Sequence, residues 1–200
     1  GFGALVEKGL DAHPQVTCYR KGKSASGLAR PDFFNWMEES RKQLDFRKPD
    51  IVVVIMGGND GQDLTTKSGK GKRVHWDTYE WKVAYRKRMD DFLAQIAADD
   101  RQVIWLGLPQ MGMRSLEKKL VTIREIQKAA VLALGDKAVY VETTPFLVDE
   151  DGKLKEYGTV RGKKQKIRAD DRIHFTMSGS EFLANFVVPE ILNQIGLAPV

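Results

Sequence analysis

Two hundred residues, 42% hydrophobic and 30% charged, have the size and balance of a single α/β domain, because a chain of this length can bury roughly 70% of its unfolded surface in one core. The one cysteine, Cys18, excludes an internal disulfide and leaves the redox compartment open, and the longest apolar run, Ile51–Met56, is far short of the ~20 residues of a membrane-spanning helix. The net charge of +5 gathers in Arg20–Lys23, Lys67–Arg73 and Arg161–Arg168. Each stretch contains glycine and none interleaves aromatic residues, so they read as solvated loops with no nucleic-acid partner; an anionic polymer is the alternative they leave.

A helix is expected from Phe2 to Ala12, with Leu5, Val6, Gly9 and Leu10 on one face and His13-Pro14 ending it. A short strand over Gln15–Arg20 and a turn over Gly22–Gly27 follow. Pro31-Asp32 reads as a helix start, because Phe33, Trp36, Met37, Ser40 and Leu44 repeat at helical spacing until Pro49-Asp50. Ile51–Met56 is a continuous β-branched run, the pattern of a strand covered on both faces, and is expected near the centre of a parallel sheet.

The second half repeats the alternation. A long helix is expected over Trp76–Ala98, carrying Tyr79, Val83, Met89, Phe92 and Ile96 inward, then a strand over Gln102–Gly107. Another helix spans Ser115–Leu134, a strand Val139–Val141 and a last helix Ser178–Ile195, for which Ser178 is a candidate cap. Strands alternating with helices argue for βαβ crossovers and an open parallel sheet with helices on both faces, in one domain over residues 1–200. In such sheets chemistry collects in the loops beyond the C-terminal strand ends.

Two of those loops are unusual. Gly57-Gly58-Asn59-Asp60-Gly61 follows the apolar strand directly, so glycines open the approach while an amide side chain is delivered above the sheet edge, where it can donate to a developing oxyanion. An ordinary turn uses the same residue types. Asp60 is placed either to hold that turn so that Asn59 faces the site, or simply to cap it. The second loop is Asp170–Thr176. Of the three histidines, His13 and His75 read as surface residues, whereas His174 has a carboxylate three residues earlier; Asp171 can accept its Nδ1–H and leave Nε2 as a base. No other His or Cys is spaced to complete a metal site. Ser24 and Ser26 offer hydroxyls, and Arg30 and Arg168 offer charge for an anionic group or a nearby Asp.

Taken together, Ser26-Gly27, Gly57-Gly58-Asn59-Asp60 and Asp171-x-x-His174 resemble, in order, the sequence blocks of the SGNH, or GDSL-type, hydrolases. The resemblance extends over nearly the whole chain. The Gly27–Trp36 stretch, Trp105-Leu-Gly-Leu-Pro109 and Arg168–Thr176 are most similar to a bacterial, often envelope-associated branch. The resemblance implies a flavodoxin-like three-layer α/β/α fold with a parallel sheet. It also implies acyl-ester hydrolysis, as an esterase, a carbohydrate O-acetyl esterase or a thioesterase. His174 would be the base, Asp171 the acid that orients it, Gly27 and Asn59 the oxyanion donors, and Asp60 and Gly58 their support. It implies no cofactor, a small-molecule or polysaccharide ester as substrate, and a periplasmic or envelope location, with the cytoplasm as the alternative. The family's first strand ends in Gly-Asp-Ser, and that block is not among these residues. Since the chain starts at Gly1-Phe2-Gly3 and not at Met, the expectation is a nucleophilic serine and first strand just upstream of Gly1. The competing expectation is an inactive domain of the same fold that binds glycan or a protein.

Overall fold

The structure is a computed structural model and describes residues 1–199. The chain divides into two compact units, one of Lys23–Leu108 and Lys118–Glu142, the other of Gly1–Gly22, Pro109–Glu117 and Thr143–Val200.

The first unit holds the sheet. Strands β1 (Ile51–Val54), β2 (Gln102–Leu106) and β3 (Ala138–Val141) run parallel in the order β1-β2-β3, with Val53 beside Ile104 and Ile104 beside Val139. The expected central place for Ile51–Met56 is therefore corrected. The central strand is β2, whose Val103, Ile104 and Trp105 are wholly buried, while Ile51, Val52 and Val53 are half-buried at an edge of the sheet. β-branching favours a strand without saying how many neighbours it has.

Helix α2 (Trp36–Arg47) starts later than Pro31-Asp32 suggests. Asn35 is its cap, accepting from Glu38 N–H at 3.1 Å, while Asp32 is held by Arg30 and Thr65. Lys48, at φ 48°, ends it in the left-handed conformation before Pro49. Helix α3 (Tyr79–Ile96) is capped by Thr78 and buries Trp81, Tyr85, Met89, Phe92, Leu93 and Ile96. Tyr79 and Val83, expected on this face, are exposed; Trp81 and Tyr85 take the inner positions and stack with centroids 4.7 Å apart. Phe92 meets the central Trp105 edge-on. Helix α4 (Arg114–Leu132) returns the chain to β3, and Gln127 interrupts its buried stripe of Leu120, Ile123, Ala130 and Val131.

The second unit is built on helices α1 (Phe2–Asp11) and α5 (Met177–Gln194). They pack where Gly9 has no side chain; a Cβ there would lie 2.9 Å from Val188 Cγ2. The hairpin of β4 (Tyr157–Val160) and β5 (Lys163–Lys166), absent from the sequence expectations, turns through Arg161-Gly162 and lays Gly158 against Phe182 of α5. The expected strand at Gln15–Arg20 does not form: no ladder pairs it, and Cys18 N–H donates to the Asp11 carboxylate instead. Thr176, not Ser178, caps α5 by accepting from Gly179 N–H, while the Ser178 hydroxyl bonds Gln165. His13 is buried, not on the surface. Its Nδ1 accepts from Gln15 N–H and its Nε2 lies 3.1 Å from the Ala198 carbonyl, one local and one long-range bond that offset the cost of burying the ring.

Candidate active site

The second unit carries the histidine loop. His174 Nδ1 and Asp171 Oδ2 are 2.6 Å apart, and Asp171 Oδ1 also accepts from the backbone N–H of Ile173 and His174. The bond from His174, followed by those two amides, holds the Asp171 carboxyl down at about 2. The carboxylate is thus ionised across the neutral range and keeps the imidazole proton on Nδ1. That leaves Nε2 as the lone-pair nitrogen, on a side chain 78% exposed.

The loop is braced from beneath. Arg168 is 2% exposed and runs under it, donating to the carbonyls of Gln110 and Ile173, with its guanidinium 4.1 Å from the Phe175 ring centroid. Arg168 and Phe175 form an antiparallel bridge, and Ala169 N–H donates to the His174 carbonyl. Arg172 turns the chain between them at φ 61°, and Gly112 N–H donates to its carbonyl. A Cβ on Gly112 would strike the Arg172 side chain, which explains a glycine there. Arg168 is accordingly a fixture of the loop and not a charge offered to a ligand.

The sheet-bearing unit carries the other candidate residues. Asp60 is 1% exposed, and its two oxygens accept from Leu28 N–H and Ala29 N–H at 3.1 Å each and from Tyr85 Oη at 2.6 Å. One carboxylate therefore ties the Gly27–Ala29 segment to the Gly57–Gly61 turn. Gly27 lies so close to it that a Cβ would overlap the carboxylate. Its own N–H, unlike those of the next two residues, donates to no described residue. Asn59 is exposed, its carbonyl accepts from Gln62 Nε2, and its side-chain amide bonds no described residue. Gly58 has open space where a side chain would stand.

Sequence reasoning missed the layer behind Asp60. Gln127 donates from Nε2 to the Met56 carbonyl and lies 3.2 Å from Tyr85 Oη, while its Oε1 accepts from the Trp105 indole N–H. Arg88 donates to the carbonyls of Leu28, Ala29 and Thr65, fixing the same segment from the other side. The signal was present: a glutamine inside an apolar helical stripe and a tyrosine on a wholly buried face each need a polar partner. Two of the flagged side chains are otherwise engaged. Ser26 Oγ donates to the Lys23 carbonyl and accepts from the Trp36 indole, and Arg30 grips Asp32 through two nitrogens at 2.9 Å. Among the described residues no three His, Cys, Asp or Glu side chains are grouped to hold a metal ion, and no helix is long and apolar enough to cross a membrane.

A family model described as "Protein of unknown function (DUF459)" matches residues 1–190. The chain belongs to the DUF459 family. No curated protein matches this DUF459 chain. Among solved structures it is similar to LAE5, an alpha/beta hydrolase enzyme from the metagenome of Lake Arreo, Spain. The TM-score is 0.62 at 15% identity, covering 98% of this chain and 81% of that one. At that identity the likeness is one of fold: an α/β arrangement of a parallel sheet and helices.

Proposed function

We propose that this DUF459 chain belongs to an acyl-ester hydrolase of the SGNH type, acting on an esterified small molecule or envelope polysaccharide. The observation that carries the reading is the 2.6 Å contact between His174 Nδ1 and Asp171 Oδ2 on an exposed ring, the arrangement of a general base with its orienting acid. The fold likeness to an alpha/beta hydrolase supports it.

The proposed nucleophile is the serine hydroxyl of the Gly-Asp-Ser block that the SGNH resemblance implies. His174 Nε2 takes its proton as the oxygen attacks the ester carbonyl, and the Asp171 carboxylate stabilises the imidazolium that results. The Gly27 N–H and the Asn59 side-chain amide, both without a partner among the described residues, donate to the tetrahedral oxyanion. His174 then passes the proton to the leaving oxygen. A water repeats the sequence to release the acid and restore the serine. Asp60 and Gly58 support the donors and take no part in proton transfer.

The test is p-nitrophenyl acetate turnover by the full-length protein, alone and with His174→Ala. Turnover that falls by about 10³-fold or more in the variant supports the reading. Equal, measurable rates in both would overturn His174 as the base, and no turnover in either would leave a non-hydrolytic binding domain as the better account.

A further inference from the structure

Helix α2, the Thr65–Lys67 segment and α3 line an open cavity of about 380 Å³ in the sheet-bearing unit. That lies within the roughly 300–1,000 Å³ range of small-molecule sites. Phe34 and Trp36 meet edge-on in its wall, centroids 4.9 Å apart. Because the Trp36 indole N–H is committed to Ser26 Oγ, that residue offers the cavity flat carbon surface and no donor.

The charge around this wall is one-sided. Arg41, Lys67 and Arg88 line the cavity against a single acid, Asp91, which is itself paired with Lys87 at 2.9 Å. Lys67 makes no ion pair among the described residues and Arg41 reaches only Gln95 at 3.4 Å, whereas Arg88 gives its bonds to three carbonyls and its charge is balanced in part by the buried Asp60 carboxylate. Aromatic carbon faces suit the C–H face of a pyranose ring, and the two cations without a carboxylate partner, Arg41 and Lys67, suit an acidic group on it.

We infer that this cavity binds an anionic saccharide, its charge carried by a carboxylate or a phosphate. The site assigned is new to the chain and does not depend on turnover. It deepens the ester-hydrolase reading only in that Gly27 also lines the cavity, so the bound saccharide would be the esterified substrate. The anion-binding role that the sequence lent to Arg30 and Arg168 passes to Arg41 and Lys67.

The experiment is calorimetric and NMR titration of the full-length protein with digalacturonate, glucose 1-phosphate, neutral cellobiose and citrate. The Trp36 indole N–H resonance serves as the local reporter. At least one of the two acidic sugars should shift that resonance. Its binding should weaken about tenfold in Arg41→Gln/Lys67→Gln, and far less in Lys70→Gln/Lys72→Gln, which removes the same charge outside the cavity. Raising salt should weaken it too. Failure of both acidic sugars to bind overturns the inference, as does cellobiose or citrate binding as well as they do, or equal loss in the two double variants. None of these readouts uses turnover, so the site can fail while the hydrolase reading stands, and the reverse.

Discussion

Tyr85 Oη donates to Asp60 Oδ2 across 2.6 Å in the interior of the sheet-bearing unit, and the two segments that offer candidate oxyanion donors depend on that bond. Asp60 needs three donors because it is wholly buried, and Tyr85 is the one that neither loop supplies. Tyr85→Phe should therefore lower unfolding free energy by about 1–3 kcal/mol, the usual cost of leaving a buried acceptor short of a donor. Asp60→Asn, which puts an amide where two backbone N–H groups point, should cost at least as much. Urea midpoints measure both. If esterase activity is present, each variant should lower kcat more than it raises KM, since the loops still form a binding surface but no longer hold Asn59 in place.

Gly57→Ala should be more damaging than Gly58→Ala. At Gly57 φ is 111°, and a Cβ would lie 2.5 Å from Gln127 Nε2, so both backbone and neighbour must give; at Gly58 a Cβ meets nothing within 4 Å. We expect a loss of roughly 2–4 kcal/mol for Gly57→Ala and under about 1 kcal/mol for Gly58→Ala by thermal or urea unfolding. Similar losses at the two positions would contradict the tight packing of Gln127 behind the turn.

Alkaline pH should find the same core. Burial, then the neighbouring Asp60, pushes the Tyr85 hydroxyl well above its ordinary value, and burial raises Tyr140 to about 12. Both groups keep their protons in the folded chain at a pH where the unfolded chain has lost them. Their stabilising contribution is thus complete below about pH 10 and is lost as pH rises beyond it. Absorbance at 295 nm should show two of the five tyrosines titrating late, together with unfolding.

How far these relationships were legible in the sequence depends on how local they are. The His174–Asp171 bond joins residues three apart in one turn, so spacing alone anticipates it. The Asp60 carboxylate was noticed, but its partners Leu28 and Ala29 lie about thirty residues away and Tyr85 on another element, so a turn-capping role was an equal reading. The place of Ile51–Val54 is not legible from residue type, which reports burial preference, whereas an edge or a centre is fixed by pairing with distant strands. The β4–β5 hairpin escaped because Lys163–Lys166 is nearly all charge and carries no apolar alternation.

For Asp171 the sign runs the other way from the tyrosines. Its carboxyl is lowered from 3.8 to about 2 by the bond from His174 and by two backbone amides, so the folded loop holds fewer protons than the unfolded one between those values. The loop's stabilisation is present above the ordinary carboxylate range and disappears as pH falls through about 2. Carbon-detected NMR of the Asp171 carboxyl should give a midpoint near that value. In His174→Ala the midpoint should rise part of the way back, because the amides of residues 173 and 174 remain. A midpoint unchanged by His174→Ala would show that the amides alone hold the carboxylate.

Arg168→Lys tests whether the histidine loop is rigid by construction. The guanidinium reaches the carbonyls of Gln110 and Ile173 at once while stacking on Phe175, and an ammonium can satisfy one of them without the stack. The variant keeps the charge, so any effect comes from geometry. We expect about 2 kcal/mol of destabilisation, faster hydrogen exchange at Ala169 and Thr176, whose N–H groups close the loop, and an Asp171 midpoint raised as its two amides drift from register. If the Asp171 titration is unmoved while stability falls, Arg168 serves the core beneath the loop and the bond between His174 and Asp171 forms without it.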